Sequence, residues 1–315
     1  MKLISELLAQ NERHIQRLIQ SRHALLSAAA AHLFQAGGKR IRPTFVLLVS
    51  QALGGINQSQ QRLAEITEMI HTASLLHDDV VDEASKRRGI DTVNTRFSNR
   101  IAVLAGDFLF AQSSWYLANL NNLEVVKFIS KLISDLAEGE MRQTSTQFST
   151  QFELWAYLEK SFYKTASLFA CSAKATCMLS NDHEDNHHHK NMYLLGQHLG
   201  IAFQIMDDVL DISGDISQMG KTLSADFVSG NLTAPILFAL TQEAGLVTLL
   251  ERECCYTQDA YQVRQMVWDT YGIEQAKDLA FEHMQAALAC LASLAPSEAK
   301  DALYDLANQM ISRQR

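Results

Sequence analysis

Residues 68–89 read EMIHTASLLHDDVVDEASKRRG, and the rest of the chain is best read outward from them. Apolar residues recur there at helical spacing, with none of the alternation of a strand. The stretch runs into a paired acid, Asp78-Asp79, then Asp82, and then into a paired base, Arg87-Arg88. Residues four apart on a helix share a face, about 6 Å apart along the axis, so Asp78 and Asp82 point the same way. Carboxylates among buried apolar neighbours are costly unless they are paired or bound to metal. Residues 204–211, QIMDDVLD, repeat the pattern, with Asp207 paired to Asp211 and Asp208 between them. Two such clusters predict two facing helices that share a group of metal ions.

The helical period continues on both sides. Helices are predicted over 2–34, 43–53, 58–82, 98–119, 122–148, 151–179, 189–213, 233–243, 259–270, 273–294 and 297–313. The three prolines, Pro43, Pro235 and Pro296, each fall near a predicted helix start, where a missing amide donor costs least. No repeat, low-complexity tract or Gly/Ser linker divides the chain. The expected architecture is all-α, a helical bundle forming one domain over 1–315.

Composition excludes several classes of function. A net charge of −8 argues against nucleic acid as a partner but not against phosphorylated ligands, because divalent ions bridge acidic side chains to acidic ligands. No apolar run is read as approaching the roughly 18 residues of a membrane span, so none is expected. The N-terminus, MKLISELLAQNERHIQRLIQ, reads as an amphipathic helix rather than a signal or transit peptide. The expected location is the cytoplasm, or the plastid stroma for a plastid-encoded chain. The five cysteines, Cys171, Cys177, Cys254, Cys255 and Cys290, lie in helical patterns and are expected to be free thiols. The segment Asn181–Lys190, NDHEDNHHHK, has no ordered ligand spacing and reads as a solvated loop.

Mg²⁺ suits the aspartates. It takes oxygen ligands, keeps several waters and is usually completed by substrate phosphate. A second phosphate group needs direct cations. Residues 37–43, GGKRIRP, supply Lys39, Arg40 and Arg42 beside two glycines that let backbone amides approach an anion. Arg87 and Arg88 add forked donors suited to phosphate oxygens. His71 lies two turns before Asp78 on the same face. Lys164 and Thr165, in SFYKTASLF, and Lys221, in MGKTLSADF, are further polar groups within or beside apolar segments.

With AGDFLF, EGEMRQ and GKTLSADFVSGNLTAPI, these motifs resemble, in order, the trans-type prenyl diphosphate synthase (polyprenyl synthetase) family over roughly residues 35–237. The resemblance implies an isoprenoid-synthase bundle with a central active-site cavity and head-to-tail condensation of isopentenyl diphosphate with an allylic diphosphate. It implies that Lys39, Arg42, His71 and Arg88 hold the isopentenyl diphosphate. Asp78, Asp82, Asp207 and Arg87 would hold the allylic diphosphate, the aspartates (Asp208 and Asp211 with them) through about three Mg²⁺ ions per site. Lys164, Thr165 and Gln204 would line the reacting centre, and Lys221 would close on the allylic phosphate. In Gly230-Asn231-Leu232-Thr233-Ala234-Pro235 the family's usual lysine is replaced by Asn231. A homodimer paired through the 98–119 segment is also implied.

The form SGNLTAPILFAL looks most like the long-chain synthases of cyanobacteria and plastids, so the expected product is a long all-trans chain, solanesyl diphosphate first among the choices. The family places its chain-length gate five residues before the first aspartate, here Ala73. An ideal helical wheel favours Ser74 instead. Both are small, which favours a long product over the alternative, a shorter geranylgeranyl chain. Phe108 and Phe110 are candidate floor residues. A terpene cyclase would be expected to carry a different second metal site, and a catalytically silent partner subunit would have eroded aspartates or no GGKR.

Overall fold

A computed structural model describes residues 2–35, 37–145, 153–180, 186–213, 231–252 and 257–312. The described chain is all-α, as expected; its strand content is one two-residue antiparallel pair, Lys86–Arg87 with Ile90–Asp91. It falls into two compact units. The first comprises Met1–Ile133, Cys171–Tyr193 and Ser293–Leu303; the second comprises Ser134–Ala170, Leu194–Ala292 and Tyr304–Arg315.

The first unit is built on α4 (Gln58–Val81). Residues 63–70 are all buried, so this part of the helix is enclosed on every face rather than along one stripe. A capping box starts it: the Asn57 side chain accepts from the Gln60 amide, and the Gln60 side chain accepts from the Asn57 amide. The same two side chains donate to the Leu179 and Thr176 carbonyls, and so tie the start of α4 to the end of α9 (Ser167–Met178). The principal neighbour of α4 is α6 (Asn99–Ala118), through buried Ala102, Ala105 and Leu109. At Gly106 a Cβ would stand 2.2 Å from Nε2 of His77, so the glycine leaves room for that ring against α6.

Several predicted helices are divided. The 2–34 helix is α1 (Ser5–Leu18) and α2 (Ala24–Gln35). At the break, Ser27 Oγ accepts from the Ser21 amide and donates to the Ser21 carbonyl, which gives the backbone an alternative to helical bonding. The 151–179 helix becomes α8 (Leu154–Ser161), a π-helical turn (Phe162–Ala166) and α9. The hairpin at 86–91, a short α5 (Val93–Arg96) and a helix at Gly245–Glu251 are additions to the sequence reading. α3 (Ile41–Ala52), α7 (Leu123–Ser145) and α10 (Asn186–Ser213) lie close to their predicted bounds.

The expectation of no membrane-length apolar helix needs correction. Among the described residues Asn99–Ala118 is long and apolar enough to cross a membrane by length and composition. The reason is that α6 is apolar on two sides. One side packs on α4, and Leu104, Ala111 and Trp115 line another, where they are exposed.

In the second unit the helix Ala234–Leu240 packs on the helix Gly272–Leu291. A Cβ on Gly272 would come within 2.4 Å of the Pro235 carbonyl oxygen, which sets that approach. Gly196 and Gly200 likewise bring α10 onto the backbone of Phe169 and Ala166. The core here includes Tyr157, Ile201, Ile205, Val209, Ile236 and Leu250. Cys171 and Cys177 are buried free thiols and Cys290 is a half-buried one, as expected; Cys254 and Cys255 lie outside the described residues.

Candidate active site

In the first unit, α4 carries His71, Asp78 and Asp79 on its C-terminal half, with Asp82 as its C-cap. Asp78 is half-buried and Asp82 exposed, whereas Asp79 is 1% exposed. The middle aspartate therefore has a different task. Its Oδ1 accepts from Arg87 Nε at 2.6 Å, and its backbone carbonyl accepts from the Ala84 amide and from Asn94 Nδ2. Burial pushes the Asp79 carboxyl up, and the Arg87 guanidinium opposes that shift. Its Oδ2 is buried with no hydrogen-bond partner.

The paired arginines stand on the hairpin. Its two-residue turn, Arg88-Gly89, has φ of 51° and 82°, the positive pair that a type I′ turn requires. Arg88 turns toward the glycine-rich segment and donates through Nη1 to the Gly37 carbonyl. A Cβ on Gly38, whose φ is 152°, would lie 2.6 Å from the same nitrogen. The positive φ of Gly38 strains any other residue there, and the missing Cβ leaves room for the Arg88 guanidinium.

The basic turn divides by function. Arg40, left-handed with φ of 47°, caps α3 and donates to Glu12 at 2.9 Å, to buried Glu68 at 2.9 Å and to the Phe34 carbonyl at 2.8 Å. Its guanidinium is committed to holding α1, α2 and α4 together. Lys39 is exposed. Arg42 Nη1 donates to His71 Nε2 at 3.0 Å, which places the ring proton on Nδ1. The His71 pKa falls well below the ordinary imidazole value, first through burial and then through Arg42, Arg88, Arg87 and Arg40. The ring is neutral at pH 7, and four guanidinium groups act on it. Of the predicted anion-binding residues, Arg42, His71, Arg87 and Arg88 are thus brought together; Glu68 was missed, and its only signal is a glutamate, three residues after Glu65, in an apolar stretch of helix.

Ala73 is fully buried in the α4–α6 core with Met69, Leu76, Ala105 and Leu109, and Phe108 and Phe110 pack on that cluster. Ser74 is half-buried, and its hydroxyl donates to the His71 carbonyl at 2.9 Å.

In the second unit, Asp207 and Asp211 lie four apart on α10 and are both half-buried, while Asp208 is 4% exposed. Asp208 departs from the expectation that treats the three alike. Its Oδ2 accepts from Tyr157 Oη at 2.6 Å and its Oδ1 from Gln204 Nε2 at 2.8 Å. Gln204 Oε1 in turn accepts from Thr165 Oγ1 at 2.6 Å. Lys164, one residue away on the π-helical turn, lies 3.5 Å from Glu140 Oε2. Tyr157 and Glu140 were not singled out from the sequence. Lys221 lies outside the described residues, as does 181–185 of the His-rich segment.

The donors that could hold a metal are carboxylates, as a hard cation prefers. Among the described residues no three His, Cys, Asp or Glu side chains converge as a closed metal cage. A sparse carboxylate set fits Mg²⁺, which is ordinarily completed by water and substrate phosphate. It does not fit zinc, which needs nitrogen or sulfur ligands in a closed tetrahedron.

The polyprenyl synthetase family model matches residues 23–267. A prenyl transferase of Porphyra purpurea is 53% identical over 305 residues, covering 96% of this chain and 94% of its own. A chloroplastic solanesyl diphosphate synthase of Arabidopsis thaliana is 46% identical over 295 residues, covering 92% of this chain and 72% of its own. Among solved structures, a polyprenyl synthase from Caulobacter crescentus, complexed with calcium and isoprenyl diphosphate, superposes with a TM-score of 0.92 at 32% identity, covering 100% of this chain and 97% of its own. The matched span contains both aspartate clusters, the basic turn and the arginine hairpin, and the chain belongs to the polyprenyl synthetase family.

Proposed function

We propose that this polyprenyl synthetase condenses isopentenyl diphosphate with an allylic diphosphate, head to tail, into a long all-trans chain, with solanesyl diphosphate the product. The observation that carries the reading is the gathering of Arg42, His71, Arg87 and Arg88 around the half of α4 that carries Asp78 and ends at Asp82. Cations near a pair of acids, Asp78 half-buried and Asp82 exposed, suit a ligand that is anionic and brings metal with it. A family match that runs through both compact units supports one synthase domain over 1–315. The purified protein with Mg²⁺, labelled isopentenyl diphosphate and a short allylic primer should yield a product that chromatographs with solanesyl diphosphate. A chain of geranylgeranyl length or shorter would overturn the long-chain reading.

In this reading Asp78, Asp82, Asp207 and Asp211 would hold about three Mg²⁺ ions, which would supply charge stabilisation for a departing diphosphate. Asp208 contributes by orienting its neighbours. Arg87 binds the allylic diphosphate directly, and Lys221 closes on it. Lys39, Arg42, His71 and Arg88 bind the isopentenyl diphosphate. Lys164, Thr165 and Gln204 line the reacting carbons, and the surrounding apolar side chains keep water from capturing the allylic cation. The isopentenyl double bond attacks that cation, and the released diphosphate takes the proton that is then lost.

Lys39→Ala and Arg42→Ala should therefore raise KM for isopentenyl diphosphate, by about 10- to 100-fold for Arg42, the worth of a hydrogen bond to a charged group. KM for the allylic substrate should move little. Kinetics with the two effects exchanged would reverse the assignment.

A homodimer is part of the proposal. The exposed stripe of Leu104, Ala111 and Trp115 on α6 is a face that a second copy of the chain would cover. Light scattering at micromolar concentration should give twice the chain mass, and Leu104→Arg should return it to the monomer value. The chloroplastic relative fits a location in the plastid stroma or cytoplasm.

A further inference from the structure

The second unit contains a run of hydrogen bonds in which each donor has one direction open to it. Tyr157 Oη donates to Asp208 Oδ2, Gln204 Nε2 donates to Asp208 Oδ1, and Thr165 Oγ1 donates to Gln204 Oε1. A primary amide can sit in either of two flips, and its oxygen and nitrogen ends are chemically opposite. Turned over, Gln204 would set its carbonyl against the Asp208 carboxylate. Asp208 therefore selects the flip that offers Gln204 Oε1 to Thr165.

Tyr157 completes this arrangement. It is 1% exposed and among the largest fully buried side chains of the protein. A hydroxyl and a carboxylate so deeply buried are costly unless they satisfy one another, and at 2.6 Å they do. The position of Tyr157 in the chain gives the contact its consequence. Tyr157 lies on α8, which runs directly into the π-helical turn Phe162–Ala166 carrying Lys164 and Thr165. Gln204 and Asp208 are one helical turn apart on α10. One bond thus ties α10 to the chain just before the π-helical turn, and the other ties it to the turn itself. The turn is also pressed onto α10 at Gly200, where a Cβ would meet the Ala166 Cα at 2.5 Å. Single π-helical turns are rare and depend on the surrounding structure to hold them.

We propose that Tyr157 is a positioning residue for prenyl transfer: through Asp208 it fixes the amide of Gln204, and so sets Thr165, beside Lys164 on the π-helical turn, against the reacting carbons. This rests on the reading that Lys164, Thr165 and Gln204 line the reacting centre. Tyr157→Phe keeps the ring and removes only the donor. The expected result is a kcat lowered by about 10- to 100-fold, with KM for both diphosphates near wild type. Because Tyr157 acts through Gln204, adding Tyr157→Phe to Gln204→Ala should cost little beyond Gln204→Ala alone. Wild-type kcat in Tyr157→Phe would overturn the proposal, as would losses that multiply in the double variant. A merely structural tyrosine would lower Tm and leave kcat per folded enzyme unchanged, which also overturns it. Full kcat in both Gln204→Ala and Thr165→Ala would instead overturn the assignment of the reacting centre, so the two failures are told apart.

Discussion

Asp78→Ala, and separately Asp207→Ala, should lower turnover by at least about 10²–10³-fold, the cost of losing one electrostatic partner of a transition state. Each begins a pair of carboxylates one helical turn apart, with Asp82 and Asp211 respectively, and neither is sunk in the core as Asp79 and Asp208 are. Their proposed task is to carry the Mg²⁺ that steadies the leaving diphosphate, so the loss should appear in kcat. The helix content read by circular dichroism should not change. Asp79→Ala should behave differently. It removes the partner of Arg87 and the side-chain anchor between α4 and the arginine hairpin, so its first effect should be a lower Tm. Near-normal turnover in Asp78→Ala or Asp207→Ala would remove the basis for the metal assignment.

The contrast between these aspartates marks where reading from sequence runs out. The pairing of Asp78 with Asp82 and of Asp207 with Asp211 is legible, because helical period alone puts residues four apart on one face. That Asp79 and Asp208 turn inward is not. Their partners come from elsewhere in the chain: Arg87 by way of a hairpin, and Tyr157 from 51 residues upstream. The hairpin itself was hidden because its turn places an arginine at positive φ, a position that composition assigns to glycine or asparagine. Arg40 shows the same limit. It reads like its neighbours Lys39 and Arg42, yet Glu12 and Glu68 claim it. The division at 19–23 turns on two serines bonding across a gap of six residues, which periodicity does not register. The helices, the aspartate faces and the basic turn were legible because they depend on local spacing. Which cations hold the fold and which stay available for a ligand depends on tertiary partners.

Chain length should respond to α4 as strongly as turnover responds to its aspartates. Ser74→Phe is expected to shorten the product from solanesyl to farnesyl or geranylgeranyl diphosphate while catalysis continues. Ser74 lies one turn before Asp78 and half-buried, so a ring there has partial access to open space. Its hydroxyl serves only the His71 carbonyl of its own helix, and its loss unbinds no phosphate ligand. Ala73→Phe should shorten the product as well, but at a cost in stability. Ala73 is fully buried among Met69, Leu76, Ala105 and Leu109, and a phenyl ring forced into that contact costs about 1–3 kcal/mol of overpacking. Each isoprene unit is about as long as one helical turn, roughly 5.4 Å, so a tail growing along α4 passes Ile70, Met69 and Ile66 in turn. Those side chains are apolar and buried, and Phe108 and Phe110 pack from α6 on the cluster that contains Met69. A bulky residue at position 74 blocks the first step of that path, whereas one further down would stop growth later. Product chromatography of Ser74→Phe beside wild type decides the matter. An unchanged product length would show that a different wall sets it, and a dead enzyme with its helix content intact would place Ser74 in the reacting site instead.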